Sequence, residues 1–191
     1  MLTRLAECLR ARQPGGYRPG LTLERVRHNL APLECQAESA TLLHCNADGG
    51  LAFDVRERVE PMFLAHTVLC EFELAVPGGS TRPARLELQH TGAFKREGIR
   101  CVVKEGDRAE LTVLIRRIEQ DASLRAAILP LDFRRCQLIG GEQGWLVRIE
   151  HFGASEVVNR LPPMRRYIRL TPPQRQCLLA SFVAFTRLLG S

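Results

Sequence analysis

The chain has 191 residues, of which 45% are hydrophobic and 25% charged, and it carries a net charge of +6. That length suffices for one sizeable core without a metal or disulfide staple, and that balance excludes long disorder. No apolar run approaches the roughly 20 residues of a membrane span, and Arg4, Glu7 and Arg10 interrupt the start of the chain where a signal peptide would need an apolar stretch.

Leu2, Leu5, Cys8 and Leu9 sit at helical spacing and predict a short helix over residues 2–12, stopped at Pro14-Gly15-Gly16. Residues 21–30 suit either a helix, through Leu23, Val26 and Leu30, or a strand, through Leu21 and Leu23. A strand is expected over 38–45, and the turn Asn46–Gly50 leads to another at 51–59. There Leu51, Phe53, Val55 and Val59 share one face; after Pro61, the residues Met62, Leu64, Val68, Cys70, Phe72, Leu74 and Val76 share one face again. This period of two means a sheet with one dry side, and His66 is the polar member of the second row.

Leu86 and Leu88, then Ile99, Cys101 and Val103, mark two further strands around a polar loop. Asp107, followed three residues later by Glu110, opens a helix with the apolar stripe Leu111, Leu114, Ile115 and Ile118. Asp121 or Ser123 can cap a second short helix, which Pro130 stops. Residues 133–139 and 145–152 flank a glycine-rich turn as a hairpin, and 165–170 form a last strand. Thr171-Pro-Pro-Gln174 starts a final helix whose broad apolar face runs from Leu178 to Leu189. The whole is expected to be a single α+β domain over residues 1–191, a curved antiparallel β-sheet with helices packed on one face and a long C-terminal helix.

Lys95 and Lys104 are the only lysines, and the scattered arginines suit a GC-rich genome. The seven cysteines, Cys8, Cys35, Cys45, Cys70, Cys101, Cys136 and Cys177, are odd in number and lack CxxC spacing. They read as small buried hydrophobes in a reducing compartment, so a cytoplasmic protein is expected. The five histidines form no metal-binding spacing, and no cofactor is expected. His66, His90 and His151 stand in apolar rows, either as core histidines or as groups of an unrecognised enzyme site; Ser155, four residues after His151, is one candidate pair. Glu71 and Glu73 read as solubility residues on a wet strand face. Two sets of cations could meet an anion: Lys95 and Arg96 in the loop 90–98, and the cluster Arg160, Arg165, Arg166 and Arg169, where Arg165 and Arg169 flank Tyr167 on a strand.

The element order resembles that of helix-grip proteins, in which a curved sheet wraps a long C-terminal helix. That resemblance implies a ligand held between sheet and helix. The segment GASEVVNRLPPMRRYIRL, Gly153 to Leu170, with the following TPPQRQCLLASF, resembles the C-terminal signature of an uncharacterised bacterial domain family, which implies no activity. The leading expectation is therefore a non-catalytic protein binding a small, largely apolar ligand. Its lining would be Leu64, His66, Val68, Phe72, Trp145, Phe182 and Phe185. The alternative is an anionic partner, nucleic acid or nucleotide, on the arginine cluster.

Overall fold

The computed structural model describes residues 14–78, 82–92 and 96–190; the helix expected over 2–12, Cys8 and Lys95 lie outside them. In the described residues the α+β architecture holds. Ten strands run β1 (Glu34–Ser39), β2 (Leu42–Ala47), β3 (Leu51–Pro61), β4 (Ala65–Pro77), β5 (Ala84–Thr91), β6 (Gly98–Glu105), β7 (Phe133–Gly141), β8 (Gly144–His151), β9 (Ser155–Arg160) and β10 (Pro163–Ile168). Four helices accompany them: α1 (Leu21–Leu30), α2 (Arg108–Gln120), α3 (Ala122–Ile128) and α4 (Pro172–Leu189).

The strands form one antiparallel sheet in the order β1-β2-β3-β4-β8-β7-β5-β6. The long strand β4 serves two partners on the same edge. Its end, Glu71 to Pro77, pairs with β8, while its start, Ala65 to Val68, pairs with β9, which carries β10. The rows read from sequence as dry face the helices, except Met62 and Leu64, which fall in the β3–β4 turn and are exposed because β4 starts only at Ala65. Phe53, Val55, Cys70, Phe72, Leu74, Val147 and Ile149 pack with Phe182, Phe185 and Leu189 of α4 and with Leu23, Val26 and Leu30 of α1 in one core. The end signals act as expected. Thr171 and Gln174 make the reciprocal capping box of α4, and Asp121 caps α3 by accepting the Leu124 amide at 2.7 Å. Asp107 caps α2 through the Ala109 amide, but Glu110 pairs with Arg82 instead of closing a box.

One open choice is decided and three expectations need correction. Residues 21–30 are helical. The strand expected over 38–45 is a hairpin, β1 and β2 around Ala40-Thr41. The strand β9 is an addition, since Ser155 and Glu156 are polar yet buried and so mask its pattern. Cys35 and Cys45, opposite each other on β1 and β2, form a disulfide, whereas Cys70, Cys101, Cys136 and Cys177 are free thiols.

The other sheet face is not simply wet. Arg58 reaches Glu60 and Glu71 at 2.8 Å and Glu150 at 2.5 Å, and Arg148 reaches Glu73 at 2.7 Å. Glu71, Glu73 and Glu150 are buried, and each is paired with arginine. Glu71 and Glu73 are thus members of a cross-strand ion-pair lattice, not free solubility charges.

Candidate functional site

The N-terminal half of α1 is tied to the sheet by two buried carboxylates. Glu57 occupies a dry-row position on β3, between Val55 and Val59. Its Oε1 accepts the Tyr17 hydroxyl at 2.6 Å and the Gly20 amide at 3.2 Å, and its Oε2 accepts the Leu23 amide at 3.1 Å. A carboxylate here meets both the free amides and the positive end of the helix dipole. Burial, then the Glu57 hydrogen bond, pushes the Tyr17 phenol well above its usual range. Gly20 is required at this junction: its φ is 82°, and a Cβ there would collide with the Ala40 carbonyl. Glu156 of β9 is the second tie. It accepts the Thr22 hydroxyl at 3.2 Å and pairs with Arg25 at 2.7 Å, with Arg165 further off at 3.8 Å.

These ties lay α1 beside β10 and leave a groove between them. Its volume is about 560 Å³, and its walls include Leu21, Arg25, His28, Tyr167 and Arg169. Tyr167 forms a floor whose hydroxyl donates to Asn29 Oδ1 at 2.9 Å, and the Arg25 guanidinium lies 5.4 Å from its ring centroid. Glu24, also at the rim, is paired with Arg27 at 2.8 Å. Among the described residues Arg169 has no carboxylate partner, so the rim offers cations above an aromatic and aliphatic surface.

The residues singled out from sequence divide among several places. Phe72, Trp145, Phe182 and Phe185 belong to the core between sheet and α4, where the Phe182 ring lies 5.4 Å from that of Phe53. Val68 is buried on β4, whereas Leu64 is exposed on the β3–β4 turn and faces no sheet–helix space. Arg96 is engaged: it donates to the Leu129 and Leu131 carbonyls at 3.3 and 3.0 Å and pairs with Asp132 at 2.5 Å, so it latches the end of α3 and is no anion cradle. Arg165 shares a face of β10 with Tyr167, as the alternation implies, whereas Arg169 lies just past the strand's end and reaches the same groove wall as Tyr167. Arg165 also donates to the Gly16 carbonyl at 2.7 Å. Arg160 and Arg166 are exposed, Arg160 at the end of β9 and Arg166 on the opposite face of β10.

The three histidines have separate neighbours. His151 is a bonded core residue: its Nε2 accepts the Asp132 amide at 3.2 Å, which leaves Nδ1 to donate to the Gly153 carbonyl at 3.2 Å. Ser155 donates to the Phe152 carbonyl at 2.6 Å and does not pair with it. His90 stacks on Phe133, with ring centroids 4.2 Å apart. His66 is fully buried, and among the described residues neither ring nitrogen has a partner; Tyr17 lies edge-on to it at 6.3 Å. Burial, then Arg160 and Arg165, hold His66 below its ordinary pKa. Among the described residues no three His, Cys, Asp or Glu side chains are placed to hold a metal ion.

Glu57, Glu156, Arg25 and His28 escaped the sequence reading. Only Glu57 left a trace there, as a charge at a dry-row position. The partners of the others depend on where α1 docks.

The sequence model of one family, described as Protein of unknown function (DUF3156), matches residues 28–189. No curated protein and no solved structure matches the chain.

Proposed function

The chain belongs to the family described as Protein of unknown function (DUF3156), and from this member's own geometry we propose a non-catalytic binding protein. Its ligand is small and largely apolar, with an anionic end, and it lies in the groove between α1 and β10. The observation that carries this reading is the convergence on Tyr167 of an aliphatic wall at Leu21, the guanidinium groups of Arg25 and Arg169, and the His28 ring. Apolar walls with a few placed polar groups are the usual form of a small-molecule site, and guanidinium groups suit carboxylate or phosphate. The helix-grip analogy would seat the ligand between the sheet and α4, but the aromatic side chains there pack on one another. The cytoplasm remains the proposed compartment on the strength of the free thiols of Cys70, Cys101, Cys136 and Cys177, with the Cys35–Cys45 bond as the observation against it.

The probe for this site is anilinonaphthalene sulfonate, an aromatic body with one anionic group. It should bind the native protein saturably with one site, and Arg169→Glu should weaken binding about tenfold while leaving the melting temperature unchanged. Equal affinity in that variant would remove the groove from consideration. The alternative partner, a nucleic acid or nucleotide, draws on the cluster Arg160, Arg165, Arg166 and Arg169, of which Arg169 also lines the groove. It requires binding to single-stranded DNA that falls steeply with salt and that Arg169→Glu also weakens.

A further inference from the structure

The turns β3–β4 and β9–β10 lie side by side at one end of the sheet. The Arg160 amide donates to the Leu64 carbonyl at 2.8 Å, and Ala65 stands opposite Asn159. Each turn is short: Met62, Phe63 and Leu64 close the first, Leu161 and Pro162 the second. Both present large apolar side chains to solvent. Phe63 is 92% exposed, Leu161 75%, Met62 60% and Met164 49%. An isolated exposed apolar residue needs no explanation, but two adjacent tips made of them do.

The charges around the tips are unequal. Glu60, just before the first tip, is held by Arg58 at 2.8 Å and Arg134 at 2.5 Å, and Glu156 is held by Arg25 and Arg165. Arg160 and Arg166 are exposed, and among the described residues neither has a carboxylate partner. The tips therefore project apolar side chains from a collar of net positive charge. A second copy of the chain would set Arg160 and Arg166 against their own equivalents. A phosphate-bearing bilayer would complement both the collar and the tips, since aliphatic and aromatic groups enter the headgroup boundary while arginines stay at the phosphates.

We propose that the paired β3–β4 and β9–β10 tips dock this protein on an anionic lipid surface, with Phe63 and Leu161 entering the interface and Arg160 and Arg166 meeting the headgroups. This is peripheral docking and needs no spanning helix; among the described residues no helix is long and apolar enough to cross a membrane. It also stands whether or not the groove beside α1 holds a ligand.

The test is sedimentation of the full chain with vesicles, either pure phosphatidylcholine or an equal mixture with phosphatidylglycerol. The protein should pellet with the anionic vesicles, stay in solution with the neutral ones, and release as salt is raised to about 0.5 M, where screening shortens to a few ångströms. The double variant Phe63→Ser, Leu161→Ser should lose at least tenfold in vesicle affinity with an unchanged melting curve. In a Phe63→Trp variant, emission should shift to the blue on adding anionic vesicles, because the new indole leaves water; the native Trp145 is already buried. Absence of binding to anionic vesicles overturns the proposal, as does a double variant that binds like its parent. A lipid-free dimer that the double variant converts to monomer would assign the tips to self-association instead.

Discussion

Glu57 sits where the alternation of β3 asks for an apolar side chain, and it is buried there. It is tolerated because three donors, the Tyr17 hydroxyl and the Gly20 and Leu23 amides, surround its carboxylate. Glu57→Gln removes the charge, turns one acceptor into a donor and leaves an amide of the α1 terminus unmet. Hydrogen bonds to charged groups contribute about 1.5–3 kcal/mol each, so a loss near 2 kcal/mol is expected in urea unfolding. A change below about 0.5 kcal/mol would mean that α1 is held mainly by Leu23, Val26 and Leu30. His66 presents the opposite case, a fully buried ring with neither nitrogen bonded among the described residues. An orphaned polar group costs about 1–3 kcal/mol, so His66→Leu should leave the melting temperature unchanged or raise it. A marked drop would reveal a partner for the imidazole.

Alternation and end signals made most of the elements legible. The β3, β4 and β8 rows, the hairpin at Gly141–Gly144 and the box Thr171–Gln174 are all local, so a linear reading finds them. What it missed depends on partners far along the chain. Residues 155–160 look unlike a strand because Ser155 and Glu156 are polar, yet Glu156 is buried against Thr22 and Arg25, more than 130 positions away. The groove escaped for the same reason: Arg25 and His28 come from α1, Tyr167 from β10 and Arg169 from just past its end, and only docking brings them together. The hairpin β1–β2 sets Cys35 against Cys45, a pairing invisible from cysteine spacing until its register is known. Titration of unfolded, unreduced protein should therefore leave the Cys35–Cys45 pair unreactive, so that no more than five of the seven cysteines titrate until the protein is reduced. Seven before reduction would mean that the β1–β2 pair is held as thiols and would strengthen the case for a reducing compartment.

Taken as a whole, the molecule hides ionisable groups on both sides of its sheet, and this fixes how its stability responds to acid. On the helix side, burial is the main cause holding His66, His90 and His151 below their ordinary pKa of 6.5, although the Ile128 and Gly153 carbonyls oppose it at the latter two. In the unfolded chain these rings take up protons near pH 6.5, while in the folded state they do so only at lower pH. The unfolded state thus binds more protons below pH 6.5, and stability present above that value is lost as pH falls towards the folded pKa values. A second loss follows at lower pH. Burial pushes the Glu60 carboxyl up, but Arg134 and Arg58 outweigh it and hold it below 4.5; the Leu124 amide and then Arg187 hold Asp121 below 3.8. Both carboxylates keep their contribution above the unfolded values and lose it as pH falls through the folded ones. Urea midpoints should accordingly be level above about pH 7, decline from pH 6.5 to 5, and decline again below pH 4.5. His66→Leu should flatten part of the first decline and leave the second intact. Stability that rises between pH 6.5 and 5 would show that the histidines gain charge more readily in the fold than out of it. The unpartnered imidazole beside Tyr17 would then have to face a carboxylate.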